Sequence, residues 1–290
     1  TIRFFPDKKG LASGLITGGM GGAAIIAAPI ANTLIERYGV SQAFWRMGLA
    51  YALIGFFFSL FIRSAPKQVV PQTAEGSEKA PAKTITANKN WKEMLATPAF
   101  YLLILMFAMG AFSGLMIASN ASLIGQSMFG LSATAAAAYV SLYSLSNTSG
   151  RVFWGAVSDR IGQIRAVIII YSAIIFAFVL LVSVNQVWAF AAGVVTLGLC
   201  FGGVMGVFPG LVMDNFGPAN QGVNYGIVFI GFSSAAFVAP KVTASLAAAN
   251  DGDFTKAFYV AIAVVLLGLG LSLVYAKRKA DAKLAAEIVQ

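Results

Sequence analysis

Runs of about twenty mostly apolar residues recur along the whole chain, and they constrain its fold more than any other feature. Each run is long enough to cross the roughly 30 Å hydrocarbon core of a bilayer as an α-helix. Eight runs can be separated, at about residues 10–34, 41–62, 97–127, 132–157, 165–185, 187–213, 221–247 and 254–276. Only 11% of the residues are charged and 58% are hydrophobic, which leaves too few charges to cover a soluble domain of this length. The sequence therefore predicts an all-α, multi-pass membrane protein.

The residue types that are missing bear on the possible chemistry. The chain has no histidine and one cysteine, Cys200, which lies in an apolar run. Histidine catalysis and an intrachain disulfide are therefore excluded for these residues, and a cysteine metal site is disfavoured. No predicted span offers a base, a nucleophile or a metal cluster. We expect no enzyme activity, no metal and no cofactor.

Basic residues lie almost entirely in alternate loops. One side of the predicted bundle carries Arg37, Arg46 and Lys256. The opposite side carries Arg3, Lys8, Lys9, Arg63, Lys67, Lys79, Lys83, Lys89, Lys92, Arg160, Arg165, Lys277, Arg278, Lys279 and Lys283. Positive charge collects on the cytoplasmic side of membrane proteins, so this second side is predicted to be cytoplasmic. The net charge of +9 then reflects orientation, and we expect no nucleic-acid partner.

A proline-rich polar segment divides the chain into two spans followed by six spans. It contains Pro66, Pro71 and Pro81 with several Lys and Glu, and it shows no apolar periodicity, which is typical of a flexible linker. Residues Trp91–Leu95, at its end, are predicted to form a short interfacial helix.

An internal repeat predicts two six-helix halves. The glycine-rich stretch from Gly10 to Pro29 resembles the stretch from Gly222 to Pro240, and six predicted helices separate equivalent elements. The chain begins at Thr1 in a loop-like polar stretch, so we expect an N-terminal truncation that removes four helices. The predicted domains are 1–63 (end of the N-terminal half), 64–96 (cytoplasmic linker), 97–276 (C-terminal half) and 277–290 (cytoplasmic tail).

Two sets of glycines recur every four residues and place a flat stripe on one face of a helix. They are Gly14, Gly18 and Gly22, and Gly198, Gly202, Gly206 and Gly210. Such stripes let a neighbouring helix approach closely. Tight packing is the favoured interpretation, and a sliding surface between two rocking halves is compatible with it.

Arg151 is the leading candidate for a functional residue. It lies eight residues before the polar turn at Asp159, which places it roughly 12 Å inside the predicted boundary of its span. A charged guanidinium there is costly, so it should face a cavity or the bundle interior. Asn147 and Tyr143 share its helix face. No Asp or Glu lies deep in any predicted span, so an anion could serve as its partner. The alternatives are a structural role against helix carbonyls and snorkelling to the interface.

Lys241 is the other cation within a span. It follows Pro240 near the outer end of its helix, where it can snorkel. A structural or vestibule role is therefore favoured.

The loop after Arg151 resembles a known membrane-protein signature. Gly155, Ser158, Asp159, Arg160, Gly162 and Arg165 match the pattern G-x-x-S-D-R-x-G-x-x-R. This resembles the cytoplasmic loop of the major facilitator superfamily, in which the Asp and Arg residues latch helix ends. The resemblance implies a partial major facilitator fold, about 8 of 12 transmembrane helices. It also implies a cytoplasmic gate built from Gly155, Asp159, Arg160, Gly162 and Arg165.

Within that superfamily the chain most resembles the oxalate/formate antiporter family, including members proposed to carry pyruvate. The segments that carry the resemblance are 4–12, 147–159, Phe208-Pro209, 214–217 and 224–226. It implies that the visible spans are helices 5 to 12 and that Arg151 is the substrate-binding arginine of helix 8. It also implies a bacterial inner-membrane carrier that acts by alternating access, with a small organic anion as substrate. We expect it to function as a monomer.

One departure from that family bears on the substrate. Oxalate carriers have a lysine in the middle of helix 11, where this chain has Phe232. One central cation suits a monocarboxylate such as pyruvate, lactate or formate better than a dianion. Tyr225, Phe229 and Phe232 share a face of helix 11, where they either close the pocket or serve ordinary packing. The alternatives are an oxalate/formate-type exchanger that uses Lys241 or an unseen residue as second cation, and a membrane sensor that binds the anion without moving it.

Overall fold

The computed structural model describes residues 5, 8–61 and 88–288, which are almost entirely helical. The helices of this described part are α1 (Lys9–Ser59), α2 (Trp91–Leu95), α3 (Pro98–Phe129), α4 (Ala133–Ile161), α5 (Gln163–Ser183), α6 (Val187–Phe216), α7 (Gln221–Val228), α8 (Ile230–Ala248) and α9 (Thr255–Ile288). The expected all-α architecture is confirmed.

Five segments of the described residues are long and apolar enough to cross a membrane. They are Pro98–Phe129, Gln163–Ser183, Val187–Phe216, Gln221–Ala248 and Thr255–Asp281. Each corresponds to one of the predicted spans. The predicted spans at 97–127, 165–185, 187–213, 221–247 and 254–276 are thus matched by apolar helices of sufficient length.

The predicted span at 132–157 is a continuous helix, α4, with many polar residues. Its exposed side chains include the apolar Leu145 and Phe153, whereas Ser146, Asn147 and Arg151 are buried. This distribution suits a helix that presents apolar side chains to lipid and polar ones to its protein neighbours.

The first two predicted spans both lie in α1. This helix is interrupted at Gly39, whose φ of 76° and ψ of 164° are not helical. A positive φ is readily adopted only by glycine, so Gly39 breaks the element in the region predicted to be a loop. The parts on either side, 9–38 and 40–59, match the two predicted spans.

The short helix predicted before α3 is confirmed as α2. Its N-terminus has a capping box in which the Glu93 amide donates to Asn90 Oδ1 at 3.0 Å and the Asn90 amide donates to Glu93 Oε2 at 2.7 Å. Residues 88–96, assigned from sequence to the flexible linker, are therefore structured. The rest of that predicted linker, 64–87, lies outside the described residues.

Two helix boundaries differ from the prediction. The span at 221–247 is divided at Phe229 into α7 and α8, although both remain part of one apolar segment. Helix α9 continues to Ile288, well past the predicted end at 276. The sequence beyond 276 is rich in Ala and Lys, and these residues extend a helix whether or not it is still in the membrane.

Both glycine stripes pack against α4, and Gly14 of α1 and Gly206 of α6 face the same Arg151 carbonyl. A Cβ at Gly18 would lie 3.4 Å from Val152 Cγ2, and one at Gly22 would lie 3.4 Å from Thr148 Cγ2. From α6, Cβ atoms at Gly198 and Gly206 would meet carbonyl oxygens of α4 at 2.7 and 2.6 Å. The predicted close packing is confirmed for both stripes, except that Gly210 faces Gln163 instead. Helix α4 thus packs closely against both α1 and α6.

Candidate functional site

The Arg151 guanidinium is buried between α4 and α1. The residue is 7% exposed, as is Asn147. Its Nε donates a hydrogen bond to Asn147 Oδ1 at 3.0 Å, and its Nη1 donates to the carbonyl oxygen of Thr17 at 2.6 Å. The structure therefore places Arg151 and Asn147 together, as predicted, and adds Thr17 of α1 as a partner that sequence reasoning missed.

Arg151 forms no ion pair with any carboxylate of the described residues. Its two hydrogen-bond acceptors are neutral oxygens, so they orient the guanidinium without cancelling its charge. An arginine has five N–H donors in a planar fork, and the remaining ones have no partner within the described part of the chain. A carboxylate could therefore bind to the fork and supply the missing negative charge.

Gly21 of α1 faces the guanidinium directly. A Cβ at this position would lie 3.1 Å from Arg151 Nε and 3.3 Å from Arg151 Cζ. The absence of a Cβ at Gly21 therefore lets the guanidinium lie close against α1. Gly21 lies outside the four-residue glycine period, and the only signal in the sequence was the local abundance of glycine.

Tyr143 lies on the predicted face of α4, but its hydroxyl is used elsewhere. It is 4% exposed and donates to the carbonyl oxygen of Gly114 on α3 at 2.7 Å. This bond ties α4 to α3. The ring also stacks on Phe201 at a centroid distance of 6.5 Å, which connects Tyr143 to the aromatic residues of α7 and α8.

The aromatic side chains predicted to share a face of helix 11 do lie together. The Phe229 ring is 5.7 Å from Tyr225 and 4.7 Å from Phe232. Phe107 of α3 and Phe201 of α6 complete this aromatic cluster, at 5.8 Å from Phe229 and 6.4 Å from Phe232. Through Phe201, which stacks on Tyr143, the cluster reaches the helix that carries Arg151.

Asp159 joins the end of α4 to the beginning of α1. Its Oδ1 accepts a hydrogen bond from the Gly10 amide at 2.7 Å, and its Oδ2 accepts one from the Leu11 amide at 2.9 Å. These first-turn amides have no partner within their own helix, and the positive end of the helix dipole favours a carboxylate there. We call this contact the α1–α4 latch.

The family resemblance implied that Arg160 and Arg165 take part in the gate together with Asp159. In the structure Asp159 binds backbone amides of α1 instead of these arginines. Both arginines are exposed, and neither pairs with a carboxylate of the described residues. Gly155 contributes by packing on Gly10 so closely that a Cβ on either would overlap the other's backbone carbonyl. Gly162, with a φ of 91°, ends α4 immediately after the latch.

An ion pair lies near the latch at the start of α1. Lys9 Nζ is 3.1 Å from Asp214 Oδ1 near the end of α6, and both side chains are about one-quarter exposed. Sequence reasoning did not find this pair because its members are 205 positions apart. The beginning of α1 is thus held by both α4 and α6.

The segment before α2 is bound to the turn between α6 and α7. The Lys89 amide donates to the Phe216 carbonyl at 2.9 Å, and Asn220 and Asn224 donate through Nδ2 to the Lys89 carbonyl at 3.1 and 3.0 Å. Residues 214–217 and 224–226, which carried much of the family resemblance, therefore lie in or beside a structural anchor.

Comparison with known proteins identifies the family to which the chain belongs. The family model of the Major Facilitator Superfamily matches residues 1–240. The chain belongs to the Major Facilitator Superfamily. The fold is accordingly a part of the facilitator fold, as expected from the loop that contains Asp159.

Two curated relatives agree with membership of the superfamily. The uncharacterized MFS-type transporter YhjX of Escherichia coli (strain K12) is 32% identical over 233 residues, covering 80% of this chain and 56% of the relative. The oxalate:formate antiporter of Oxalobacter formigenes is 31% identical over 248 residues, covering 84% and 54% respectively. The chain spans about half the length of the curated relatives it matches.

Lys241 is not part of the site around Arg151. Its Nζ lies 3.7 Å from the ring centroid of Phe237, and both side chains are exposed. A cation over an aromatic face is a favourable pair in its own right. This placement agrees with the structural or vestibule role favoured from the sequence.

Proposed function

We propose that this chain is part of a secondary carrier that moves small organic anions across a bacterial inner membrane by alternating access. The observation that carries the proposal is the Arg151 guanidinium, which is 7% exposed and bonded to neutral oxygens alone among the described residues. Burying a charge is costly unless it is paired. A transported carboxylate is a partner that can arrive and leave.

The proposed binding site combines the α4 side chains with the aromatic cluster. Arg151 binds the carboxylate, Asn147 orients the guanidinium, and Tyr225, Phe229 and Phe232 form an apolar wall. Tyr143 supports the site by fixing α4 to α3. Sites for small molecules commonly pair a few polar groups with an apolar lining of this type.

The proposed transport cycle uses the interface between α1 and α4. We assign residues 1–63 to the N-terminal half and 97–276 to the C-terminal half, which makes this an interface between halves. The latch and the Lys9–Asp214 pair hold the same end of it together. The basic loops support a cytoplasmic location for that end. Opening it would require both contacts to break, while the glycine faces allow close sliding.

A monocarboxylate such as pyruvate, lactate or formate is the proposed substrate. Phe232 contributes an apolar ring where a second cation would suit a dianion, and Lys241 lies instead over Phe237. A single buried guanidinium matches a single carboxylate charge. A second candidate is a dicarboxylate exchanger, which the likeness to the oxalate:formate antiporter favours.

The test is flux through the full-length protein in proteoliposomes. Labelled pyruvate, lactate, formate and oxalate are offered in turn, with and without internal anion. Saturable uptake of a monocarboxylate supports the proposal, and preference for oxalate supports the second candidate. Binding without flux would identify a sensor. The absence of both binding and flux would contradict the anion site.

A further inference from the structure

A cavity of about 440 Å³ opens at the end of the bundle where α3 begins and α6 and α9 meet. Its lining does not include Arg151, and the residues that α6 contributes, Asp214 and Asn215, belong to the last turn of that helix. Two basic side chains, Arg278 and Lys279 of α9, line it together with the apolar Pro98, Ala99 and Leu102 of α3. A cationic rim beside an apolar wall is suited to an amphiphilic anion.

The remaining polar groups of the cavity wall already have partners. Tyr275 donates through its hydroxyl to Asn215 Oδ1 at 2.6 Å, and Asn215 Nδ2 donates to the Leu211 carbonyl at 2.7 Å. The Asp214 carboxylate is paired with Lys9, so its negative charge is largely offset. Arg278 and Lys279, in contrast, are exposed and form no ion pair with the described residues. The unbalanced charge of the cavity is therefore positive.

The surroundings locate the cavity at a membrane boundary. On α9, Leu273 and Val274 are exposed just before the basic run begins at Lys277, as expected where a helix leaves hydrocarbon. On α3, Tyr101 and Leu105 are exposed next to the apolar wall. Trp91 of the neighbouring α2 is also exposed, and tryptophan is enriched at the interface.

We propose that this cavity binds the phosphate of an anionic phospholipid, with Arg278 and Lys279 as its ligands. The glycerol and upper acyl chains would lie along Pro98, Ala99 and Leu102. Basic pockets between transmembrane helices recognise lipid head groups through this combination of charge and apolar contact. The proposal concerns a site separate from that of the transported anion and does not depend on which substrate is carried.

The experiment measures lipid binding to the full-length protein in a neutral detergent. Native mass spectrometry counts the phosphatidylglycerol molecules retained during titration, with phosphatidylcholine and inorganic phosphate as parallel arms. Arg278→Gln and Lys279→Gln should each weaken phosphatidylglycerol binding about fivefold. Arg278→Lys should restore most of the loss, because a cation is kept.

Lys277→Gln is the matched control, because Lys277 is an exposed neighbour in the same basic run but does not line the cavity. It should retain wild-type phosphatidylglycerol binding. An equal loss in Lys277→Gln would show a diffuse surface charge effect and overturn the site. Equal binding of phosphatidylcholine, or displacement of phosphatidylglycerol by inorganic phosphate at millimolar concentration, would overturn the assignment to an anionic lipid.

Discussion

At the scale of single residues, neutral partners determine what Arg151 can do. The Asn147 amide oxygen and the Thr17 carbonyl hold the guanidinium in place without neutralising it. A carboxylate in their place would make a fixed ion pair and leave little affinity for a mobile anion. The surroundings of Arg151 therefore orient the guanidinium and leave it without an ion-pair partner among the described residues.

Gly21 is predicted to tune the position of this guanidinium. In Gly21→Ala, the new Cβ would lie 3.1 Å from Arg151 Nε, so the side chain must shift or strain. A displaced guanidinium loses part of its charge-assisted contact with the anion, a contact typically worth about 1.5–3 kcal/mol, so anion affinity should fall by about tenfold. Equilibrium binding of the best substrate to purified protein measures the change.

Gly19→Ala is the control for that substitution. A Cβ at Gly19 would meet no atom of the described residues within 4 Å, although it is on the same helix. Its affinity should remain near that of the wild type. If both variants bind equally well, Gly21 does not define the space beside Arg151.

Phe232 is predicted to influence the choice between monoanions and dianions. Its ring lies against Phe229 and Phe201 in the aromatic cluster, so Phe232→Lys would add a second cation near the proposed site. A dianion gains from two positive partners, whereas a monoanion leaves one desolvated. Competition by oxalate should rise relative to pyruvate. If the ratio of oxalate to pyruvate competition is unchanged in a well-folded variant, Phe232 does not line the site.

At the scale of elements, α4 connects the proposed binding site to the latch. Arg151 and Asp159 are two turns apart on the same helix, and both contact α1 through its backbone. Glycines on α1 and α6 allow both helices to approach α4 closely. A movement of α1 relative to α4 would therefore change both contacts together.

Asp159→Asn is predicted to weaken the latch. The amide keeps the shape of the side chain but loses its charge, a contribution of about 0.3–1 kcal/mol at a helix N-terminus, and one of its two acceptor oxygens. One of the Gly10 and Leu11 amides then loses its hydrogen bond. Transport should slow while substrate binding from the outside is largely retained. Initial rates in proteoliposomes and binding to purified protein separate the two effects, and an equal loss of both would indicate a folding defect.

Asp253→Asn supplies a matched control for the latch. Asp253 also accepts a hydrogen bond from a helix amide, that of Thr255 at 2.8 Å, but it caps its own helix at the opposite end of the bundle. A small loss of stability without a change in transport is expected. A transport defect as large as that of Asp159→Asn would show that capping in general, rather than the latch, limits the rate.

At the scale of the whole molecule, much of the architecture was predictable because bilayer thickness sets the length of apolar runs. The break at Gly39 followed from the gap between two such runs. The extension of α9 was missed because the apolar run ends at residue 276, whereas the Ala- and Lys-rich sequence that follows still favours a helix. The partners of Asp159 and Arg151 on α1 were missed because backbone groups carry no residue-specific signal.

The orientation of the molecule remains a prediction from its basic loops. Cysteines at Ser77 and Ala285 of the full-length protein should resist impermeant thiol reagents in intact cells, because both segments are expected in the cytoplasm. A cysteine at Ala249, in the turn at the opposite end, should react. Native Cys200 is 1% exposed and contributes little background. Ready labelling at Ser77 and Ala285 would show that the protein has the opposite orientation in the membrane.

Uptake by Arg151 variants tests the central claim most directly. Arg151→Gln should abolish saturable uptake of pyruvate, lactate, formate and oxalate in proteoliposomes, and Arg151→Lys should bind more than about tenfold more weakly because the planar fork is lost. Lys241→Gln should transport normally, since Lys241 lies over Phe237 away from the site. Thermal melting verifies that each variant is folded. If folded Arg151→Gln still takes up one of these anions with wild-type affinity, Arg151 is structural and the anion-carrier account is wrong.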